Sequence, residues 1–308
     1  MKIVFMGTPD FAVNTLEAIE KAGHDIALVV TQPDKPRGRS GRLQMSEVKQ
    51  YAAEHGLEVF QPEKVKTPEA VSRLKECEPE LIVAAAFGQI LSRDILELPK
   101  YGCINVHASL LPKLRGASPI QTAILEGYDK TGVTIQQMGE GLDTGDIINQ
   151  RSIPIDGSDT GGSLFDKLAS LGAELAVETI DMIGAGRVKP VPQDDSLATY
   201  AKKIDKAMGH IDWERSAADI DCMVRALNPW PSAYTYLGGR MLKVWRAAAA
   251  EDIKGTPGTV AGVTKDSVRV ICGEGSLILE ELQLEGKKRM TAHDFLLGCR
   301  MSTGEKLG

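Results

Sequence analysis

An asparagine and a histidine, separated by one residue, lie in the stretch INVHASLLP at Asn105 and His107. The apolar residues around them predict a β-strand, in which alternate side chains point to the same face of the sheet. Two hydrogen-bonding groups therefore share one patch at the end of this strand. Taken alone, the stretch favours a structural role, since strand-end histidines and turn-forming asparagines are common.

Two further predicted strands end in residues that can line a site. Phe87, Gly88 and Gln89 lie at the end of the run LIVAAAF, and Asp143 lies in the glycine-rich loop that follows VTIQQM. Ligands of open α/β sheets bind beyond the carboxyl ends of the strands. We therefore expect three strand ends to converge on one site.

The residue types at this site limit its chemistry. They include Asn105, His107 and Asp143, with no candidate serine or cysteine nucleophile and no metal-binding cluster. Such a set suits a reaction in which the substrate supplies the nucleophile, as in acyl transfer to an amine. Asparagine and histidine can stabilise the developing oxyanion, and a carboxylate can assist transfer of the amine's proton.

The elements that must position these residues alternate between short apolar strands and helical patterns. The strands are KIVFMG, IALVVTQ, LEVFQP, LIVAAAF and CINVHAS, with helices near residues 11–22, 47–55 and 68–76. This alternation predicts βαβ units with a buried, largely parallel sheet, and hence an α/β, Rossmann-like domain. The turn GTPDF has one glycine and the loop GEGLDTGD leads into a strand, so neither fits the dinucleotide-binding motif GxGxxG.

The chain changes character after a long helix near residues 163–183, where glycine, proline and charged residues replace the apolar periodicity. We predict a first domain over residues 1–189, a linker over 190–206 and a second domain over 207–308. The second domain contains the short strands MLKVWRA, GTVAGV, SVRVIC and SLILEELQL, separated by glycine-rich turns. This pattern predicts a small antiparallel, OB-like β-barrel.

Composition narrows the class of protein. The 308 residues are 43% hydrophobic and 25% charged, which is typical of a globular protein. The net charge of −6 argues against a wholly basic surface, but residues 200–308 hold 16 basic against 14 acidic residues, which leaves a local nucleic-acid patch open. Five scattered cysteines without a CxxC spacing predict neither a zinc site nor disulfides. Because no segment approaches the roughly 18 to 20 apolar residues of a membrane helix, we expect a cytoplasmic protein.

A resemblance to a known family rests on several motifs in a fixed order. The motif NVHASLLP occupies residues 105–112, Arg115, Gly116 and residues 118–120 follow it, and LDTGDI occupies residues 142–147. Together they resemble the folate-dependent formyltransferase family. The similarity extends along the whole chain to the members that act on methionyl initiator tRNA. The further motifs that carry it are FMGTPDFA, TQPDKPRGR, VFQP and RALNPWP.

The resemblance implies transfer of a formyl group from 10-formyltetrahydrofolate to the α-amino group of methionine on initiator tRNA. By that similarity, Asn105 would donate a hydrogen bond to the formyl oxygen and His107 would stabilise the tetrahedral oxyanion. Asp143 would orient His107 and assist proton movement from the amine towards folate N10. The resemblance also implies no metal, and we expect a monomer.

The resemblance assigns the cosubstrate and the tRNA to two further groups of residues. Those expected to bind the folate are Ser109, Leu110, Leu111, Pro112, Phe87, Gly88, Gln89 and Ile90. Those expected to bind tRNA are Arg37, Arg39 and Arg42 in the loop PDKPRGRSGRL, with Lys203 and Lys206 in the linker. A solvated charge run is the alternative for each basic group.

Two alternatives keep part of this interpretation. The same chemistry can serve glycinamide ribonucleotide or an amino sugar nucleotide, and sugar-nucleotide enzymes are the stronger rival because they can carry a similar second domain. The third hypothesis is a folate- or tRNA-binding module without turnover, which would have little use for the Asn, His and Asp set.

Overall fold

The computed structural model describes residues 1–37, 42–251 and 253–308. In chain order its strands and helices are β1 (Lys2–Gly7), α1 (Asp10–Lys21), β2 (Asp25–Val30), β3 (Lys35–Arg37), β4 (Arg42–Gln44), α2 (Glu47–Glu54), β5 (Val59–Phe60), α3 (Pro68–Glu76), β6 (Leu81–Ala85), α4 (Arg93–Leu96), β7 (Cys103–His107), β8 (Arg115–Gly116), α5 (Pro119–Leu125), β9 (Lys130–Gln137), β10 (Ile147–Pro154), α6 (Gly161–Gly184), β11 (Tyr200–Ala201), α7 (Ala217–Ala226), β12 (Ala233–Leu237), β13 (Arg240–Ala250), β14 (Val260–Val263), β15 (Val268–Ile271), β16 (Ser276–Leu284), β17 (Met290–Thr291) and α8 (Ala292–Gly298).

A seven-stranded sheet forms the centre of the first compact unit, which consists of residues 1–119, 131–153 and 165–201. The strand order is β10-β9-β7-β6-β1-β2-β5. Strands β7, β6, β1, β2 and β5 are parallel neighbours, and β9 runs antiparallel to β7. The predicted α/β, Rossmann-like fold is therefore confirmed.

The apolar strands form the middle of this sheet because helices cover both faces of a parallel sheet. Every residue of β6 is buried, as is every residue of β1 after Lys2. Helix α1 buries Phe11, Leu16 and Ile19, which recur at helical spacing. Helix α2 begins where the Ser46 hydroxyl accepts a hydrogen bond from a backbone N–H of the first turn.

The second compact unit consists of residues 120–130, 154–164 and 202–308. Its antiparallel strands follow the order β12-β13-β16-β15-β14, and β17 pairs with β16. Apolar side chains of α7, among them Ile220 and Val224, share one buried cluster with Val244 and Leu282 of the sheet. The predicted antiparallel sheet is thus present.

The predicted OB-like barrel is not confirmed. Strands β12 and β14 lie at opposite ends of the strand order, and no pairing between described residues closes the sheet. Helix α7 instead contributes to the core beneath the sheet, so its apolar face is buried without closure. A pattern of short strands and glycine-rich turns is common to open and closed antiparallel sheets.

The two units are defined by contacts between residues and are not continuous along the chain. The short segments of residues 120–130 and 154–164 therefore belong to the second unit. The predicted boundaries at residues 189 and 206 stay predictions. Among the described residues, no helix is both long enough and apolar enough to cross a membrane.

Candidate active site

Strands β7 and β9 bring the predicted catalytic side chains to one edge of the central sheet. Asn105 pairs with Gln136 across these strands, and His107 pairs with Thr134. The chain leaves β9 after Gln137 and returns through the glycine-rich loop of residues 139–145. The loop folds back so that the Asp143 carboxylate lies beside Asn105 and His107 of β7.

The three predicted catalytic residues lie together. Asn105 Nδ2 is 3.5 Å from Asp143 Oδ1, and His107 Nδ1 is 3.6 Å from the same oxygen. His107 is buried, with 6% of its surface exposed, and Asn105 is half-buried. The structure thus assembles one amide and one imidazole from strand β7 and one carboxylate from a loop.

A backbone carbonyl fixes the orientation of the His107 ring. Nε2 lies 3.0 Å from the carbonyl oxygen of Leu114. A carbonyl oxygen can only accept a hydrogen bond, so Nε2 carries a proton. Nδ1 is therefore the ring nitrogen that faces Asp143 and can exchange a proton at the site.

The Asp143 carboxylate accepts hydrogen bonds from two strand neighbours and a backbone amide. The backbone N–H of Gly116 donates to Oδ2 at 2.9 Å, and Gln136 Nε2 donates to Oδ1 at 2.9 Å. The third donor is the longer contact from Asn105. Because all three groups donate, they hold the carboxylate in one orientation beside His107.

The loop that carries Asp143 requires an unusual backbone. Asp143 has a φ of +52°, in the left-handed region that few residues other than glycine adopt. A Cβ at Gly145 would lie 1.6 Å from the carbonyl oxygen of Gln137, so only glycine fits there. Gly145 thus lets the chain turn back tightly onto β9.

The arrangement can stabilise a tetrahedral oxyanion and move a proton. Asn105 Nδ2 has a second N–H that can donate to an oxyanion. His107 Nδ1 and the Asp143 carboxylate form a pair that can accept the proton of an attacking amine. Within residues 1–37, 42–251 and 253–308, no group of three or more His, Cys, Asp or Glu side chains could hold a metal ion.

Two sequence models of known families match the chain. One, described as formyl transferase, matches residues 1–180, and the other, described as formyl transferase C-terminal domain, matches residues 203–300. The chain belongs to the formyltransferase family. Its relatives include the methionyl-tRNA formyltransferase of Lachnospira eligens, 51% identical over 314 residues, with 100% of both chains covered. That of Agathobacter rectalis is 50% identical over 99% of this chain and 98% of its own.

Solved structures agree on the fold of this formyltransferase. WlaRD, a sugar 3N-formyl transferase studied with dTDP and 5-N-formyl-THF, superposes with a TM-score of 0.68 at 23% identity, covering 94% of this chain and 99% of its own. The N-formyltransferase of Helicobacter canadensis, in complex with folinic acid and dTDP-3-aminofucose, also gives 0.68 at 23% identity, covering 91% and 98%. At this identity the likeness shows the fold alone.

The loop after β6 lies at the same sheet edge as the catalytic cluster, because β6 and β7 are parallel neighbours. The carbonyl of Phe87 accepts hydrogen bonds from Thr8 and Gln32, and Gly88 has a φ of +80°. Ile90 stays 69% exposed. The loop is therefore anchored at its beginning and presents an apolar side chain at its end.

Gln89 holds the same loop to the chain that follows β5. Its Oε1 accepts a hydrogen bond from the Val65 backbone at 2.8 Å, and its Nε2 donates to the Pro62 carbonyl at 3.4 Å. The amide is thus already paired with protein. Its predicted contact with folate stays a prediction.

The segment of residues 109–112 forms a tight turn against β9. Ser109 is 1% exposed, and its hydroxyl donates to the Lys113 carbonyl at 2.6 Å. Leu111 is also buried, and its N–H donates to the Thr134 hydroxyl at 3.1 Å. The half-buried members of the segment are Leu110 and Pro112. Folate binding by these four residues stays a prediction.

The predicted tRNA loop corresponds to the hairpin of β3 and β4. Arg37 pairs with Arg42 across the hairpin, and Arg39 lies outside the described residues. Asp34, at the base, accepts hydrogen bonds from Gln61 Nε2 at 2.8 Å and Lys49 Nζ at 2.7 Å. These bonds, that of Gln61 first, lower the pKa of the Asp34 carboxyl.

The two remaining tRNA candidates, Lys203 and Lys206, are exposed residues of the second unit. Their exposure permits contact with a phosphate backbone, and the role stays a prediction.

Sequence reasoning missed the residues that support the cluster. Gln136 and the backbone groups of Leu114 and Gly116 touch Asp143 or His107 directly. Gln136 has a weak signal, since it is a polar residue on the buried strand β9. Backbone donors and acceptors have no signal in side-chain patterns.

Proposed function

We propose that this protein transfers the formyl group of 10-formyltetrahydrofolate to the α-amino group of methionyl initiator tRNA. One observation carries the proposal: the Asn105, His107 and Asp143 cluster occurs in a chain about half identical, along its full length, to proteins named methionyl-tRNA formyltransferase. The reaction starts translation with formylmethionine.

The cluster accounts for each step of the transfer. The amine nitrogen of methionine attacks the formyl carbon, and the carbonyl oxygen becomes a tetrahedral oxyanion. Asn105 Nδ2 donates to that oxygen, and His107 in its protonated form donates from Nδ1. The bond between the formyl carbon and folate N10 then breaks, as the proton of the amine passes to N10.

Asp143 supports both stages. Its carboxylate lies beside His107 Nδ1 and stabilises a positive ring there. When the amine loses its proton, the Asp143 carboxylate assists its movement towards N10, directly or through one water. No separate enzyme nucleophile is needed, because the substrate amine attacks.

The two substrates are assigned to different parts of the chain. We place the folate against the loop of residues 87–90 and the turn of residues 109–112, at the sheet edge that carries the cluster. We assign the acceptor tRNA to Arg37, Arg39 and Arg42 of the sequence segment 33–43 and to Lys203 and Lys206. The cationic side chains of these residues would contact phosphates of the tRNA. Such contacts position the RNA without reading its bases.

We also propose that the protein acts as a monomer in the cytoplasm, where translation begins. Light scattering coupled to size-exclusion chromatography should give the mass of one chain, 33.2 kDa.

A transfer assay with three acceptors tests the proposed function. Labelled formyl from 10-formyltetrahydrofolate is offered to methionyl initiator tRNA, to glycinamide ribonucleotide and to an amino sugar nucleotide. We expect label on the aminoacyl-tRNA alone. Label only on a small acceptor would keep the catalytic chemistry and overturn the proposed substrate.

A further inference from the structure

A buried arginine and a glutamine connect the catalytic loop to a distant part of the first unit. Arg115 is 2% exposed, and its Nε and Nη2 donate to Gln193 Oε1 at 3.1 and 2.8 Å. Gln193 Nε2 donates in turn to the carbonyl oxygens of Asp143 at 3.0 Å and Gly145 at 2.7 Å. One amide thus bridges both sides of the turn that carries the catalytic carboxylate.

The network settles which way the Gln193 amide points. A guanidinium only donates and a carbonyl oxygen only accepts. The reverse orientation would place NH2 against Arg115 and oxygen against two carbonyl oxygens. Gln193 therefore serves Asp143 as a donor, and a residue without N–H groups cannot replace it.

The loop needs such a support because its conformation is strained. Sterics disfavour residues with a side chain in the left-handed region that Asp143 occupies. Gly116 and Gln136 hold the Asp143 carboxylate, but these contacts do not reach the backbone carbonyls of residues 143–145. The two bonds from Gln193 hold that backbone directly.

We propose that Gln193 is a positioning residue for the formyl transfer, oriented by Arg115, which fixes the backbone of residues 143–145 so that the Asp143 carboxylate faces His107. The inference rests on the proposed function. Arg115 also lies between the two residues whose backbone groups contact His107 and Asp143, so a single segment orients both catalytic groups.

Three substitutions at one position separate donation from packing. Gln193→Glu keeps the size and the acceptor for Arg115 but removes both N–H donors, Gln193→Met keeps the length alone, and Gln193→Ala removes the side chain. We expect each to lower kcat roughly 10- to 100-fold, since misplacement of a catalytic group by about 1 Å has an effect of this size. The KM values for folate and tRNA should stay within about twofold.

The matched control is Asn149→Asp on β10, which makes the same amide-to-carboxylate change where Nδ2 donates to Thr179 Oγ1 at 3.2 Å. It should keep the wild-type kcat. If Gln193 served only to accept hydrogen bonds from Arg115 or to pack against it, Gln193→Glu would also keep kcat, and that result would overturn the inference. A loss of kcat matched by loss of folded protein at the assay temperature would overturn it too.

Hydrogen-deuterium exchange of residues 139–146 measures the loop itself and does not depend on the acceptor. We expect faster exchange there in Gln193→Glu than in the wild type, with unchanged exchange in β1 and β6. Unchanged exchange in the loop would contradict the positioning role. A wild-type protein that formylates none of the acceptors would refute the proposed function, and the exchange result would still decide the role of Gln193.

Discussion

Gly116 has two roles: it adopts a backbone conformation that disfavours other residues, and its N–H holds the Asp143 carboxylate. Replacing it by alanine should affect both stability and catalysis. Gly116 has a φ of +113°, and a Cβ there would lie 2.7 Å from the carbonyl oxygen of Ala201. Alanine in a left-handed conformation costs about 1–2 kcal/mol, and a displaced N–H would lose its bond to the Asp143 carboxylate, about 1.5–3 kcal/mol. We expect Gly116→Ala to lower the free energy of unfolding by about 2.5–5 kcal/mol, and kcat by about 100-fold.

Gly186→Ala provides the control for backbone strain alone. Gly186 has a φ of +67°, and nothing lies within 4 Å of the position its Cβ would take. This variant should lose about 1–2 kcal/mol of stability and keep its activity. Urea unfolding and single-turnover formylation of both variants give the comparison. Equal stability losses in the two variants, with full activity in Gly116→Ala, would refute the reasoning.

Three other predictions follow from the site and the core. Alanine at Asn105 should lower turnover about 100- to 1000-fold, and alanine at His107 or Asp143 about 100- to 10,000-fold, by single-turnover kinetics. Gln136→Met should change the free energy of unfolding by less than about 1 kcal/mol in urea titrations. The substitution loses the hydrogen bond to Asp143, but it also removes a buried Oε1 that has no hydrogen-bond partner among the described residues, and the two effects offset each other. Burial raises the pKa of the Cys103 thiol to about 12. The folded thiol stays neutral at a pH where the unfolded thiol ionises. Its contribution to the free energy of unfolding is therefore fully present below about pH 9 and decreases from there towards pH 12. Cys103→Val should flatten this decrease in urea titrations at pH 8 to 10.5.

The central sheet was predictable from sequence because its strands are continuous apolar runs. LIVAAAF and KIVFMG have no polar face, as expected of strands covered on both sides, and they became β6 and β1. The helices near residues 11–22 and 47–55 lie within a residue or so of their observed bounds, Asp10–Lys21 and Glu47–Glu54. Local pattern and tertiary burial agree in these elements.

The second sheet shows where local pattern stops being informative. The short strands were visible as apolar alternation between glycine-rich turns, but closure depends on whether the first and last strands meet. Helix α7 fills the core with Ile220 and Val224, and this packing cannot be read from the strands themselves. The pattern therefore predicted the antiparallel sheet and could not decide whether the sheet closes.

The candidate site was predictable as far as side-chain type and strand register allow. Asn105 and His107 share a face because they are two residues apart, and sheet topology places Asp143 nearby. Gln193, however, is 50 residues from Asp143 in the chain and lies in a stretch whose composition indicates only a linker. No periodicity or motif length connects the two positions.

The residues that support the cluster also explain why its parts should act as one unit. Leu114 accepts from His107, Gly116 donates to Asp143, and Arg115 between them orients Gln193. Residues 115 and 116 of this tripeptide pair with β11, and the Arg115 N–H donates to the carbonyl of Thr199, just before that strand, at 2.9 Å. A shift of the segment would therefore displace the imidazole and the carboxylate together. Because these supports hold the site in place, Asn105 and His107 can donate to a developing oxyanion without reorganising. Hydrogen bonds lower the activation barrier most under this condition.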